Sequence, residues 1–245
     1  MTVTVKRPDA NPESTTMDGS VRKSQCNQTW NTIRGAAAGC EASPSSVTNC
    51  NYVRAGVTAC TWSSIRRTAL LFDFSCIACT DTKDGATFCF VASAKSVDIS
   101  ADKLSLITST PASDTNLVNA DYNQFGTTKQ AADITIGSIT VDISGPTFNR
   151  FTLNSTGLGN VSLSGISKFG TRITSDNDDC EPCLPGCHTD CCCNQVVMRS
   201  ADEADSADTR PKMILTHTPL FNNMQGVGQH GAMQPLQIPT EVIPY

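Results

Sequence analysis

The chain has 245 residues with 39% hydrophobic, 6% aromatic and 17% charged residues, and a formal net charge of −5. That balance argues against binding nucleic acid or an anionic membrane through bulk electrostatics, since no Lys/Arg cluster exceeds the pairs Arg66-Arg67 and Arg22-Lys23. No stretch approaches the roughly 18 apolar residues of a membrane helix. The N-terminus lacks an apolar core of signal-peptide length. Low charge, few aromatics and abundant Ser, Thr, Asn, Asp and Gly favour short strands joined by polar turns.

Taken in chain order, residues 1–16 are polar, hold two prolines, and are expected to form an extended arm. Asp18-Gly19 signals a turn before a strand over Ser20–Lys23. Trp30–Gly35 reads as the next strand, and Tyr52–Val57 as a strand within an otherwise loop-like stretch. Ile65–Ser75 is the most apolar run. With period two, Thr68, Leu70, Phe72 and Phe74 share one face and Ala69 and Leu71 the other. This is the pattern of a central strand covered on both sides. Asp73 near its end reads as a loop-capping or salt-bridge residue, with Arg66 or Arg67 as its candidate partners.

Asp84-Gly85 looks like a hairpin turn, followed by a strand over Ala86–Ser93. Lys103–Ser109 is a strand that Pro111 ends. Asp114–Tyr122 reads as one or two helical turns. Ile134–Ile143 reads as a strand with a bulge at Gly137. Phe148–Leu153 is a further strand with Phe151 and Leu153 inward. Asn154–Leu163 reads as a cap and short helix, Ser167–Arg172 and Gln195–Ser200 as strands, and Lys212–His217 as the closing strand. Residues 219–245 have no periodicity and, like 1–16, suit strand addition to a neighbouring subunit or draping over it.

Thirteen cysteines imply disulfides in an oxidising place, or metal. Cys26, Cys40, Cys50 and Cys60 are spaced as staples of long loops. Between Asp176 and Cys193 the pattern breaks into an acidic run and six cysteines within fourteen residues. Cys180, Cys183, Cys187, His188 and Cys191 could present thiolates and an imidazole to a structural zinc ion, or thiolates to an iron–sulfur cluster. A disulfide-clamped loop reaching Cys76, Cys79 or Cys89 is the preferred reading. Cys76-x-x-Cys79 follows a strand, not the start of a helix, which argues against a redox motif. Asp176, Asp178 and Asp179 read as a solvated loop and lack the spacing of a calcium-binding EF-hand. Trp30, Trp62 and Tyr122 could stack on a sugar, but the core needs most of the few aromatics. His188, His217 and His230 stand in no catalytic motif, and neither a Gly-x-Ser-x-Gly elbow nor a phosphate loop occurs.

Asp18–Arg22, Trp30–Gly35, Ile65–Ser75, Ser109–Ser113, Asp121–Gly126, Phe151–Leu158, Ser200–Asp202 and Pro211–Thr216 occur in an order that covers about residues 17–218. In that order they resemble a β-sandwich domain of bacteriophage structural proteins and bacterial surface proteins, distantly similar to family 96 carbohydrate-binding modules. The cysteine-rich segment 176–193 departs from that pattern. The resemblance implies no catalytic set, and sugar binding only as it occurs in some relatives.

The expectation is therefore an all-β, antiparallel, jelly-roll-like β-sandwich over 17–218 with a Cys-rich insert at 176–193. An N-terminal arm (1–16) and a C-terminal arm (219–245) flank it. The expected function is that of a non-enzymatic virion structural protein, a capsid decoration or a tail or fibre component. It would engage other subunits, including copies of itself, and carry no cofactor unless the 180–193 cluster holds metal. The alternative is a carbohydrate-binding module on a cell surface. Cysteine richness without a leader fits a particle released by lysis.

Overall fold

The structure is a computed structural model that describes residues 1–58, 60–99, 101–182, 192–203 and 209–220, and the chain is mostly antiparallel β-sheet. In chain order the strands are β1 (Thr2–Lys6), β2 (Asp18–Gln28), β3 (Glu41–Ser43), β4 (Thr48–Ala55), β5 (Trp62–Asp73), β6 (Thr82–Phe90) and β7 (Ala92–Val97). They continue with β8 (Lys103–Thr108), β9 (Ile134–Thr135), β10 (Asn149–Thr152), β11 (Ile166–Ile173), β12 (Cys193–Arg199) and β13 (Lys212–Thr218). Three short helices interrupt them: α1 (Trp30–Arg34), α2 (Ser155–Gly159) and α3 (Thr174–Asn177). One sheet has the order β1-β13-β6-β10. The other runs β7-β12-β4-β5-β11-β8-β9, with β2 added to β5 and β3 to β2.

β5 is the hub, as its two apolar faces require. β2 pairs along it from Leu70 to Trp62, β4 pairs with its Trp62–Arg66 half, and β11 with its Thr68–Asp73 half. On one face Phe72 meets Phe88 of the other sheet at 6.0 Å between ring centroids, and Phe88 stacks in turn on Phe90 and Phe151. On the opposite face Arg67 lies over the Tyr122 ring, 4.1 Å from its centroid, under the 3-10 turn Asn119–Asn123. Burying such rings contributes about 1.5–3 kcal/mol each, so the Phe72–Phe88 seam is what joins the two sheets.

Several local expectations change. Trp30–Arg34 is a helix. Its buried residues Trp30 and Ile33 are three apart, which is a helical spacing, and the Thr29 side chain caps it by accepting from the Thr32 N–H. Asp84 and Gly85 lie inside β6, with Gly85 opposite Thr216. The reversal instead falls at 74–81, where Ile77 N bonds Phe74 O and Asp81 N bonds Ala78 O. Ile134–Ile143 keeps only two strand residues. The phase change at Gly137 is a 3-10 turn over Ile136–Ser138, after which Val141 bridges to Ala92. Within the expected N-terminal arm, residues 2–6 form β1 and pair with β13 of the same chain, Thr2 opposite His217 and Lys6 opposite Met213. The expected C-terminal arm lies outside the described residues beyond Leu220.

Candidate functional site beneath the cysteine-rich insert

The most concentrated chemistry lies where α3 leads into the cysteine-rich insert. Asp176 is 1% exposed and receives two bidentate forks. Arg67 of β5 donates Nε and Nη2 at 2.9 and 2.8 Å, and Arg172 of β11 donates the same pair at 2.8 and 2.7 Å. Paired guanidinium forks match both carboxylate oxygens, the strongest geometry available to such a pair. Burial alone would raise the Asp176 carboxyl. The two guanidinia outweigh it and hold the group well below the usual carboxylate range.

The remaining donors are also placed. Arg67 Nη1 donates to Tyr122 O at 2.6 Å and Nη2 to Arg34 O at 2.9 Å, while Arg34 Nε donates to Asp176 O at 2.7 Å. Tyr122 Oη donates to Ile33 O at 2.9 Å, and burial pushes its phenol up. The cluster therefore ties β5, β11, α1, α3 and the 119–123 turn together with a saturated ionic core.

Above it sits the base of the insert. Trp30 Nε1 donates to Asp179 Oδ1 at 3.2 Å, and Arg34 Nη1 lies 3.3 Å from the same oxygen. Trp62 Nε1 donates to Glu181 Oε1 at 2.7 Å. The two indoles meet edge to face at 4.9 Å. On the returning side, Ala55 N donates to Cys192 O at 3.0 Å, and Ala55 is the register partner of Trp62. Both ends of the insert are thus fastened at one place, the start of β5. Beside them a cleft of about 250 Å³ is lined by Ala101, Asp102, Thr174, Ser175, Asp178, Cys180 and Pro182. Ser175 Oγ donates to Asp102 at 2.6 Å, and Lys129 neutralises Asp178 at 2.7 Å.

Of the residues expected to hold metal, Cys180 is exposed at this cleft. Cys183, Cys187, His188 and Cys191 lie outside the described residues. Among the described residues no group of three or more His, Cys, Asp or Glu side chains is placed to hold a metal ion.

No disulfide is seen among the described residues, contrary to the stapled loops expected from spacing. Cys26, Cys40, Cys50 and Cys60 carry free thiols. Strand pairing of β2 with β3 and of β4 with β5 does the work assigned to them. Cys76 and Cys79 are exposed past the C-terminal end of β5, whereas the insert is fastened at its N-terminal end. Cys76, Cys79 and Cys89 carry free thiols, and the insert cysteines Cys183, Cys187 and Cys191 that could have reached them lie outside the described residues.

One further expectation changes. Asp176 belongs to the ionic core and is not a solvated loop acid. Asp73 accepts from Ser75 N at 2.8 Å, while Arg66 pairs with Glu41. Trp30, Trp62 and Tyr122 are buried, as the core reading expects, and offer no exposed sugar platform. His217 is also buried, with Nδ1 2.7 Å from Asp81 Oδ2 and Nε2 3.0 Å from Thr4 Oγ1, and so ties β1 to the end of the β5–β6 turn. The signal that could have found the clamp is the spacing Arg172–Asp176, together with an arginine inside the most apolar run.

Compared with family models and with curated proteins, the chain matches none. Fold and site together define an all-β sandwich with an ion-clamped base beneath a cysteine-rich insert.

Proposed function

We propose that this protein is a non-enzymatic structural subunit of a virus particle, contributing its sandwich as a decoration, tail or fibre component. The observation that carries this reading is where the ionic chemistry lies. The two carboxylates with the largest environmental perturbation, Asp18 and Asp176, are each 1% exposed and already bonded, so neither can reach a substrate. A general acid or base must come within hydrogen-bond reach of the reacting group. Here burial and ion pairing brace the scaffold and fasten both ends of the insert. A scaffold whose strongest ionic groups are sealed inside it suits repeated assembly contacts better than turnover.

The test compares the full chain with a chain ending at Thr218, each imaged by electron microscopy during particle assembly. The full chain is expected in regular particles or multimers, and loss of residues 219–245 is expected to abolish incorporation. Hydrolysis of a polymer by the purified chain, or specific capture on a glycan array without any assembly, would overturn the proposal.

A further inference from the structure

β1 forms one edge of the four-stranded sheet, paired with β13 on one side and with no other strand among the described residues. Alternate N–H and C=O groups of an edge strand point away from its partner and remain open to another strand. Edges are normally blunted by proline, a bulge or several charges. Within Thr2–Lys6 there is no proline, the register with β13 is unbroken, and Lys6 is the only charge. Val3 and Val5 on its outer face are 61% and 42% exposed, which makes an apolar pair beside an open ladder. The inner face is held by the Thr4–His217–Asp81 hydrogen bonds. The edge is therefore ordered before any partner arrives, which lowers the entropy lost on pairing.

We infer that β1 pairs antiparallel with β1 of a second copy of this chain, across a two-fold axis centred on Thr4. The residue order around Thr4 selects this occupant. In that register Val3 faces Val5 of the second copy and Thr2 faces Lys6, so four valines join into one apolar patch and no like charges oppose within Thr2–Lys6. Antiparallel pairing matches every strand pair in both sheets. A two-fold contact also closes, giving a continuous eight-stranded sheet with no new open edge at the junction. A pair of five-residue strands covers well below the ~800 Å² per partner of a standard stable interface. The contact is accordingly weak in dilute solution and populated where subunits are held close, and in that respect it rests on the assembly role proposed above.

Sedimentation velocity of the full chain over a wide concentration range tests this, with hydrogen exchange of the β1 amides followed in parallel. The expected result is a concentration-dependent monomer–dimer equilibrium in which β1 amides gain protection as dimer forms. The double variant Val3→Lys, Val5→Lys should weaken association about tenfold or more by setting like charges opposite each other. Its circular dichroism and melting temperature should stay unchanged, because both side chains are exposed. A chain ending at Leu220 should dimerise like the full chain. Loss of dimer in that shortened chain would make residues 221–245 the occupant and overturn the proposal. Association that the lysine variant leaves intact would also overturn it, while leaving assembly through another surface standing. A full chain that stays monomeric at every concentration yet enters particles overturns the β1 pairing alone. A chain that does neither overturns the assembly reading as well.

Discussion

Asp18 is the residue whose titration the fold changes most visibly. It stands on β2 opposite Leu70, accepts from Asn49 Nδ2 at 2.5 Å and from Ala201 N at 3.0 Å, and has no water-facing side. Burial pushes its carboxyl up to about 8; Asp202 and Glu13 add to the rise, and the two donors only partly oppose it. Between the ordinary value of 3.8 and about 8 the folded chain keeps a proton that the unfolded chain has released. Stability contributed here is therefore fully present at acid pH and lost as pH rises through that window. Its upper size is about 6 kcal/mol. Urea unfolding at pH 5 and pH 9 should show the wild type losing stability on the alkaline side. Asp18→Asn keeps a neutral side chain there and should flatten the dependence. Parallel pH slopes in the two proteins would exclude Asp18 as the cause. In sequence Asp18 looks like a turn residue before a strand, because nothing local shows that the backbone after β12 folds over it.

At the scale of elements, the clamp explains why β5 and β11 carry arginines in buried positions. Arg67 and Arg172 are each 3% exposed, and unpaired guanidinium groups there would cost several kcal/mol. One carboxylate on α3 satisfies both, so the short helix is held by charge where four residues could not hold it by packing. Asp176→Asn removes the anion and leaves two cations facing each other. A loss of about 3–5 kcal/mol is expected in chemical denaturation. A red shift of indole fluorescence should accompany it, since Trp30 and Trp62 rest on the segment that α3 positions. An unchanged midpoint in Asp176→Asn would show that the ionic core contributes nothing net. Replacing all three partners by apolar residues is a different experiment and can be neutral. Because Asp176 keeps its charge well below the usual range, its contribution is present above the unfolded carboxylate value and is lost as pH falls. It thus opposes Asp18, and these two groups together place maximum stability near the ordinary carboxylate value of 3.8.

At the scale of the whole molecule, thirteen cysteines suggest a stapled protein, yet the described body is held by β5, by the Phe72–Phe88 seam and by the Asp176 clamp. Each native disulfide in a small secreted domain is worth about 2–5 kcal/mol. Adding a thiol reductant to the folded protein should accordingly leave its melting temperature unchanged, with Cys26, Cys40, Cys60, Cys76 and Cys79 reacting readily with a thiol reagent because all are exposed. A clear fall in melting temperature on reduction would return the staples to the account.

The all-β class, the central position of Ile65–Ser75, the inward Phe151 and Leu153, and the Asn154 cap of α2 were all legible from period and capping chemistry. These are local properties, since side chains alternate along a strand whatever its neighbours are. Trp30–Arg34 was misread because a five-residue segment satisfies either period, and only the sheet beneath Trp30 and Ile33 decides between them. Partner choice was not legible at all. Arg67 finds Asp176 across 109 positions and His217 finds Asp81 across 136, separations over which no spacing rule operates. By itself, then, the chain determined its strands, its class and the face each strand buries, because those follow from backbone geometry and the cost of wetting apolar surface. Tertiary structure alone decided which charges are sealed, which cysteines stay far apart and which edge remains open, because each depends on what distant segments bring to the same place.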